Sequence, residues 1–108
     1  MLHMEKQRLK TIEKRIESIK RELSDVGVMR PGSLTKQKQR RSSTGNVSEY
    51  WQISYTHKMK SRTDYVREGS VSDTQDQIAE YKRFKELIDE WVELAIEQAK
   101  LISKASVK

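Results

Sequence analysis

The chain has no cysteine, one proline, four glycines and a single phenylalanine in 108 residues, and each shortage closes off a class of protein. Without cysteine there are no disulfides, thiolate metal sites or thiol nucleophiles, and the redox compartment leaves no mark. The two histidines, His3 and His57, stand far apart with no third nitrogen or sulfur ligand, so no metal site is expected. There is no Gly-rich phosphate loop and no Gly-x-Ser-x-Gly elbow. Carboxylates such as Asp89, Glu90, Glu93 and Glu97 read as an acidic helix surface more readily than as acid–base pairs. No stretch approaches the roughly 18 apolar residues of a membrane span, or a signal-peptide core. The expectation is a cytoplasmic protein with no catalytic residues, no cofactor, no small-molecule substrate and no membrane partner.

What is present in quantity is charge. Charged residues make up 35% of the chain against 34% hydrophobic, which leaves a thin core best supplied by a long helical pairing or an oligomer. The net charge of +6 is uneven: sixteen Lys/Arg face eight Asp/Glu before Val71, and six face eight from there on. That asymmetry points to an anionic partner, nucleic acid first, with a solvated basic surface as the plainer alternative.

Leu9, Ile12, Ile16, Ile19, Leu23 and Val26 recur at steps of three and four, a heptad seam that predicts a helix over 3–26. Gly27 is placed for a left-handed cap, and Pro31 hinders resumption. A second helix is predicted over 72–103, opened by a Ser72…Gln75 capping box. It carries two adjacent stripes: Phe84, Leu87, Trp91, Leu94 and Leu101, and then Ile78, Tyr81, Ile88, Val92, Ala95, Ala99 and Ile102. One partner helix covers only one stripe. Residues Ile88, Trp91, Val92, Ala95, Ala99 and Ile102 are therefore the candidate self-association or partner surface, giving a homodimer. Heptad numbering puts Arg8 and Arg15 at g on the first helix, and Glu90 and Glu97 at g on the second. Antiparallel pairing brings 8 to 97 and 15 to 90, so an antiparallel intramolecular pair is favoured over a parallel dimer of the first helix.

Between the helices, 27–48 has no apolar periodicity and reads as an irregular or partly disordered basic loop. Residues 49–67 read as a two-stranded ribbon. Trp51, Ile53 and Tyr55 alternate with Tyr50, Gln52, Ser54 and Thr56; then Arg62, Asp64 and Val66 alternate with Thr63 and Tyr65. The link 57–61 lacks a tight-turn signature. The ribbon needs a surface to lie on, and the second stripe of the second helix supplies one. The expected whole is a single α+β domain, mostly α: two long antiparallel coiled-coil-like helices with an inserted two-stranded β-ribbon.

Pro31-Gly32-Ser33-Leu34, Tyr50 to Tyr55, Ser61 to Arg67 and the run IAEYKRFKELIDE over Ile78–Glu90 together resemble a small uncharacterised family of archaeal and bacterial proteins. The likeness covers roughly 31–101. In that family the stretch after Pro-Gly-Ser-Leu typically holds a cysteine-rich loop resembling a metal knuckle, whereas residues 37–46 here contain no cysteine. The resemblance supports the helix–ribbon–helix order and carries over no functional residue.

The groups suited to a polyanion are Arg30, Lys36, Lys38, Arg40 and Arg41 on the loop, and Lys58, Lys60, Arg62 and Arg67 on the ribbon. A ribbon fits the major groove of duplex DNA, where Arg62 or Gln52 would reach base edges. Tyr50, Trp51, Tyr55 and Tyr65 would stack on unpaired bases in a single-strand binder, but Trp51 and Tyr55 suit a core pair better. The expected function is non-catalytic binding of DNA, duplex before single-stranded. A coiled-coil adaptor for another protein is the alternative.

Overall fold

The computed structural model describes residues 3–40, 45 and 47–106. Its elements run α1 (His3–Ser24), β1 (Ser33–Arg40), β2 (Val47–His57), β3 (Lys60–Val66), a 3-10 turn (Glu68–Ser70) and α2 (Val71–Ser106). The chain is thus α+β, with two helices and one antiparallel sheet in the order β1-β2-β3. It divides into a helical unit, from residues 1–26 and 83–108, and a sheet unit, residues 27–82.

In the helical unit the heptad seam of α1 does what its spacing predicts. Ile12 and Ile19 are fully buried and Ile16 nearly so, each contributing about 1.5–3 kcal/mol by leaving water. The flanking charges fix the orientation. Arg8 grips Glu97 with two hydrogen bonds of 2.6 and 2.8 Å, and Arg15 grips Glu90 with two of 2.6 and 2.7 Å. One heptad further on, Arg83 Nη2 donates to the Glu22 carbonyl at 3.3 Å. Residue numbers rise by seven on α1 as they fall by seven on α2, so the contacts run antiparallel. An even coiled-coil seam, however, is not reproduced. Leu9 and Leu23 are only half-buried, and on α2 Leu87 is buried while Phe84, Trp91, Leu94 and Leu101 are half-buried. Burial on α2 is shared across its two stripes, because Ile88 and Ala95 of the second are half-buried as well.

The first helix stops at Ser24, two residues early. Short turns from Asp25 N to Glu22 O and from Val26 N to Leu23 O close it, and Arg83 donates to the Glu22 carbonyl as well. Gly27 is not left-handed; its N–H donates instead to Glu80 Oε2 at 2.7 Å within the sheet unit. Helix α2 likewise starts without the expected Ser72…Gln75 box, growing directly out of the 3-10 turn at Val71. Buried Thr74 donates its hydroxyl to Ser70 O at 2.8 Å there.

The sheet unit corrects the largest expectation: Ser33–Arg40 is a strand, not an irregular loop, and the ribbon is three-stranded. It pairs with β2 along its whole length, from Ser33↔Ser54 to Arg40↔Val47. The reason it hides from an apolar-periodicity search is that only Leu34 points into a core. Its period-two alternation is one of charge, Lys36, Lys38 and Arg40 against Thr35, Gln37 and Gln39, which suits an exposed edge strand. Residues 41–44 and 46 of the expected loop, Arg41 included, lie outside the described residues.

The core of this unit is small. Ile53, Val66 and Ile78 are buried, with Leu34, Trp51 and Val71 packed around them, so the sheet lies on the first turns of α2 through Ile78 of its second stripe. Gly32 makes this approach possible. At φ +139°, a Cβ there would fall 2.7 Å from Ile53 Cγ1 and 2.9 Å from Ser54 O.

Candidate nucleic-acid interface

The sheet sorts its side chains by charge. Because neighbours along a strand point to opposite faces, register places Ser33, Thr35, Gln37 and Gln39 with Ser48, Tyr50, Gln52, Ser54 and Thr56 and with Ser61, Thr63 and Tyr65. Every one of these is neutral and polar. The hydroxyls of Ser54 and Thr63 meet at 3.3 Å, and those of Thr56 and Ser61 at 3.1 Å. The opposite face holds the core residues and all the charged ones: Lys36, Lys38, Arg40, Glu49, Lys60, Arg62 and Asp64. This segregation was missed in the sequence, although the charge alternation of β1 was there to be read.

Strand β1 begins at Ser33, opposite Ser54 and, across β2, Thr63. Past that row the sheet narrows to a two-stranded arm, residues 55–62. The arm closes after His57↔Lys60 by a two-residue turn, tighter than the open link expected, with Lys58 at φ 51° and Met59 at φ 65°. Both central residues at positive φ match the right-handed strand twist, but L-residues other than Gly, Asn and Asp bear a cost there of about 1–2 kcal/mol each. On the charged side, Pro31, Tyr55, His57, Lys58, Lys60 and Arg62 line an open depression of about 450 Å³. Tyr55 is half-buried beneath the Arg30 guanidinium, 5.4 Å from its ring centroid, and Arg30 also binds Asp64 Oδ2 at 3.1 Å. Asp64 is therefore occupied by Arg30. Among the described residues, Lys58, Lys60 and Arg62 make no ion pair, and all three are exposed.

The nine cations singled out in the sequence thus separate. Three gather on the arm, with Arg30 beside them but already paired. Lys36 binds Glu49 at 2.9 Å and sits 5.6 Å from the Trp51 ring, so that hydrogen bonding to the carboxylate raises the Lys36 pKa and lowers that of Glu49. Lys38 and Arg40 are exposed at the other end of the charged face. Along β2 the Val47 row, which holds Arg40, lies about 33 Å from the His57 row, which holds Lys60, and the Glu49 row, which holds Lys38, lies about 27 Å from it. Arg67 is exposed just beyond β3, where the 3-10 turn begins, and Arg41 lies outside the described residues.

Of the expected core pair only Trp51 packs against the core; Tyr55 lies beyond it on the arm, under Arg30. Trp51 and Tyr55 are half-buried on the core face, while Tyr65 is exposed on the neutral one and Tyr50 half-buried beside it. Gln52 also belongs to the neutral face, in the central strand between Thr35 and Tyr65, where three strands together are too broad for a groove to admit it. The candidate partner surface on α2 divides as well. Ile88, Trp91 and Ala95 are half-buried, Trp91 with Lys20 5.6 Å from its ring, whereas Val92, Ala99 and Ile102 are exposed and are joined by exposed Ile96. Among the described residues no three His, Asp or Glu side chains converge as metal ligands, and no helix is long and apolar enough to cross a membrane. No family model matches the chain, and no match is found among curated proteins or solved structures.

Proposed function

We propose that the protein binds duplex DNA without catalysis, through the arm Tyr55–Arg62. The observation that carries this reading is the set of exposed cations Lys58, Lys60 and Arg62, which make no ion pair among the described residues while the neighbouring Arg30 and Lys36 are paired. Cations without a partner exchange only water and counterions for phosphate, so they contribute to a polyanion's affinity without breaking an internal contact. Lys38 and Arg40 give a second point of attachment. Along the strand Arg40 lies about 33 Å from the Lys60 row, close to one helical turn of duplex at about 34 Å, with Lys38 about 27 Å from the same row. Arg67 is a lesser contributor, and Arg30 and Lys36 act mainly as supports for Tyr55 and Trp51. Two copies associating through Val92, Ile96, Ala99 and Ile102 of α2 would together carry two arms. The reading is that of a cytoplasmic DNA-binding protein that needs no cofactor.

The test is retention of a labelled 20-base-pair duplex in low salt. The arm double variant Lys58→Glu/Arg62→Glu is expected to bind more than about tenfold more weakly while keeping the native fold. Unchanged affinity would remove the arm from the interface.

The adaptor reading draws on one separate observation, the exposure of Val92 and Ile96 at 52% each. Val92→Ser/Ile96→Ser addresses it without touching Trp91, which packs inside the helical unit. Loss of a protein partner by this variant, with DNA absent from both, would favour the adaptor.

A further inference from the structure

The apex of the arm is not explained by folding. Met59 is 97% exposed and so buries nothing, yet it and Lys58 occupy left-handed backbone that Asn-Gly would adopt with less strain. An apolar side chain held in a disfavoured conformation where it adds no stability is a feature whose explanation lies outside the fold. Its surroundings say what it would meet. From the Ile53↔Asp64 row, the last held by the core, the strands run four residues to His57↔Lys60, so the apex stands about 14 Å out. Lys58 and Lys60 flank the methionine directly, and Arg62 follows one pleat below.

We infer that Met59 is a wedge that enters the minor groove of duplex DNA and partly unstacks one base step, with Lys58, Lys60 and Arg62 held by the phosphates on either side. This rests on the DNA-binding reading and specifies how the arm engages. Methionine suits the task because its unbranched, polarisable thioether is thin enough to pass between base planes and conforms to what it touches. The minor groove is about 6 Å wide and 7.5 Å deep, so the apex is long enough to reach its floor, while the ribbon is too broad to enter unless the groove opens. Prising a step apart opens it and bends the duplex toward the major groove. Pyrimidine–purine steps unstack most readily, so a TA step is the favoured point of entry. Insertion into an anionic membrane is the less suitable fate, because the tip offers one apolar side chain between charged and hydroxylated neighbours, and stable membrane anchoring takes more apolar surface than that.

The experiment uses a 20-base-pair duplex with 2-aminopurine beside a central TA step and a donor–acceptor pair at its ends. The full chain is expected to raise 2-aminopurine emission at least about twofold on binding and to shorten the end-to-end distance. Met59→Gly, which relieves the turn, is expected to leave both signals at the level of free duplex when added at concentrations that saturate the duplex. Met59→Leu, retaining a wedge, is expected to restore them. Binding by the natural chain with no change in either signal, or equal signals from Met59→Gly, would overturn the wedge while leaving the DNA-binding reading in place. No retention of duplex at low salt would overturn that reading itself. So would Met59-dependent sedimentation with phosphatidylserine vesicles in place of duplex binding, which would turn the apex into a membrane probe.

Discussion

The arginines at the seam of the helical unit and the cations on the arm of the sheet unit are used in opposite ways. In the helical unit four cations are held by anions, Arg8 with Glu97, Arg15 with Glu90 and Glu22, Lys20 with Glu17 and Lys104 with Glu5, while Lys6, Lys10, Lys14, Arg21, Lys85 and Lys100 enter no ion pair among the described residues. In the sheet unit Arg30 and Lys36 are paired with Asp64 and Glu49, and the arm beyond them has cations alone. The difference teaches that net charge is a poor guide to an anion-binding site and pairing a better one. A basic helix whose arginines are held in forked ion pairs has its orientation specified by them, whereas an unpaired cation on an arm remains available to a partner.

The strongest way to test this division is to remove the core of each unit in turn. Ile12→Ala and Ile53→Ala, both at fully buried positions, are each expected to cost about 2–5 kcal/mol. Chemical denaturation checks this, with Trp91 reporting the helical unit and Trp51 the sheet. Next comes Gly32→Ala, where the clash with Ile53 and the positive φ together are expected to cost about 2–4 kcal/mol, read mainly at Trp51. A smaller effect follows from acid. Hydrogen bonds from Arg15 and Arg8 hold the Glu90 and Glu97 carboxyls below their ordinary range. A depressed folded pKa contributes stability that is present above the unfolded value, about 4.3, and is lost as pH falls through the folded value. Titration below pH 5 is therefore expected to weaken the natural helical unit, and to weaken a Glu90→Gln/Glu97→Gln variant less. The smallest effect belongs to the arm: Lys58→Glu/Arg62→Glu is expected to leave the unfolding midpoint unchanged, because neither side chain makes an ion pair among the described residues.

Legibility followed the same division. The helices were readable because isoleucine at steps of three and four has one physical meaning, and the pairing of Arg8 with Glu97 and Arg15 with Glu90 could be taken from heptad arithmetic before any coordinate. The faces of β2 and β3 were readable from Trp51, Ile53 and Val66. Strand β1 was not, since an edge strand with one apolar contact at Leu34 looks like a loop to any test based on hydropathy. The turn at Lys58-Met59 was hidden for the opposite reason: its backbone is one that sequence rules reserve for Asn and Gly. Of the candidate site, the sequence supplied the cations but not their division into paired and unpaired, which depends on where Asp64 and Glu49 fall in register.

The most direct test of that division is the salt dependence of duplex binding. With three arm cations neutralising phosphates, and Lys38 and Arg40 assisting, the log–log slope of affinity against salt is expected to be about −3 to −4.5. It should be lower in magnitude by about 1.8 in Lys58→Glu/Arg62→Glu and unchanged in Lys20→Glu, whose charge is already engaged on α1. A slope indifferent to the arm variant, or one that falls equally with Lys20→Glu, would contradict the claim that unpaired arm cations form the interface.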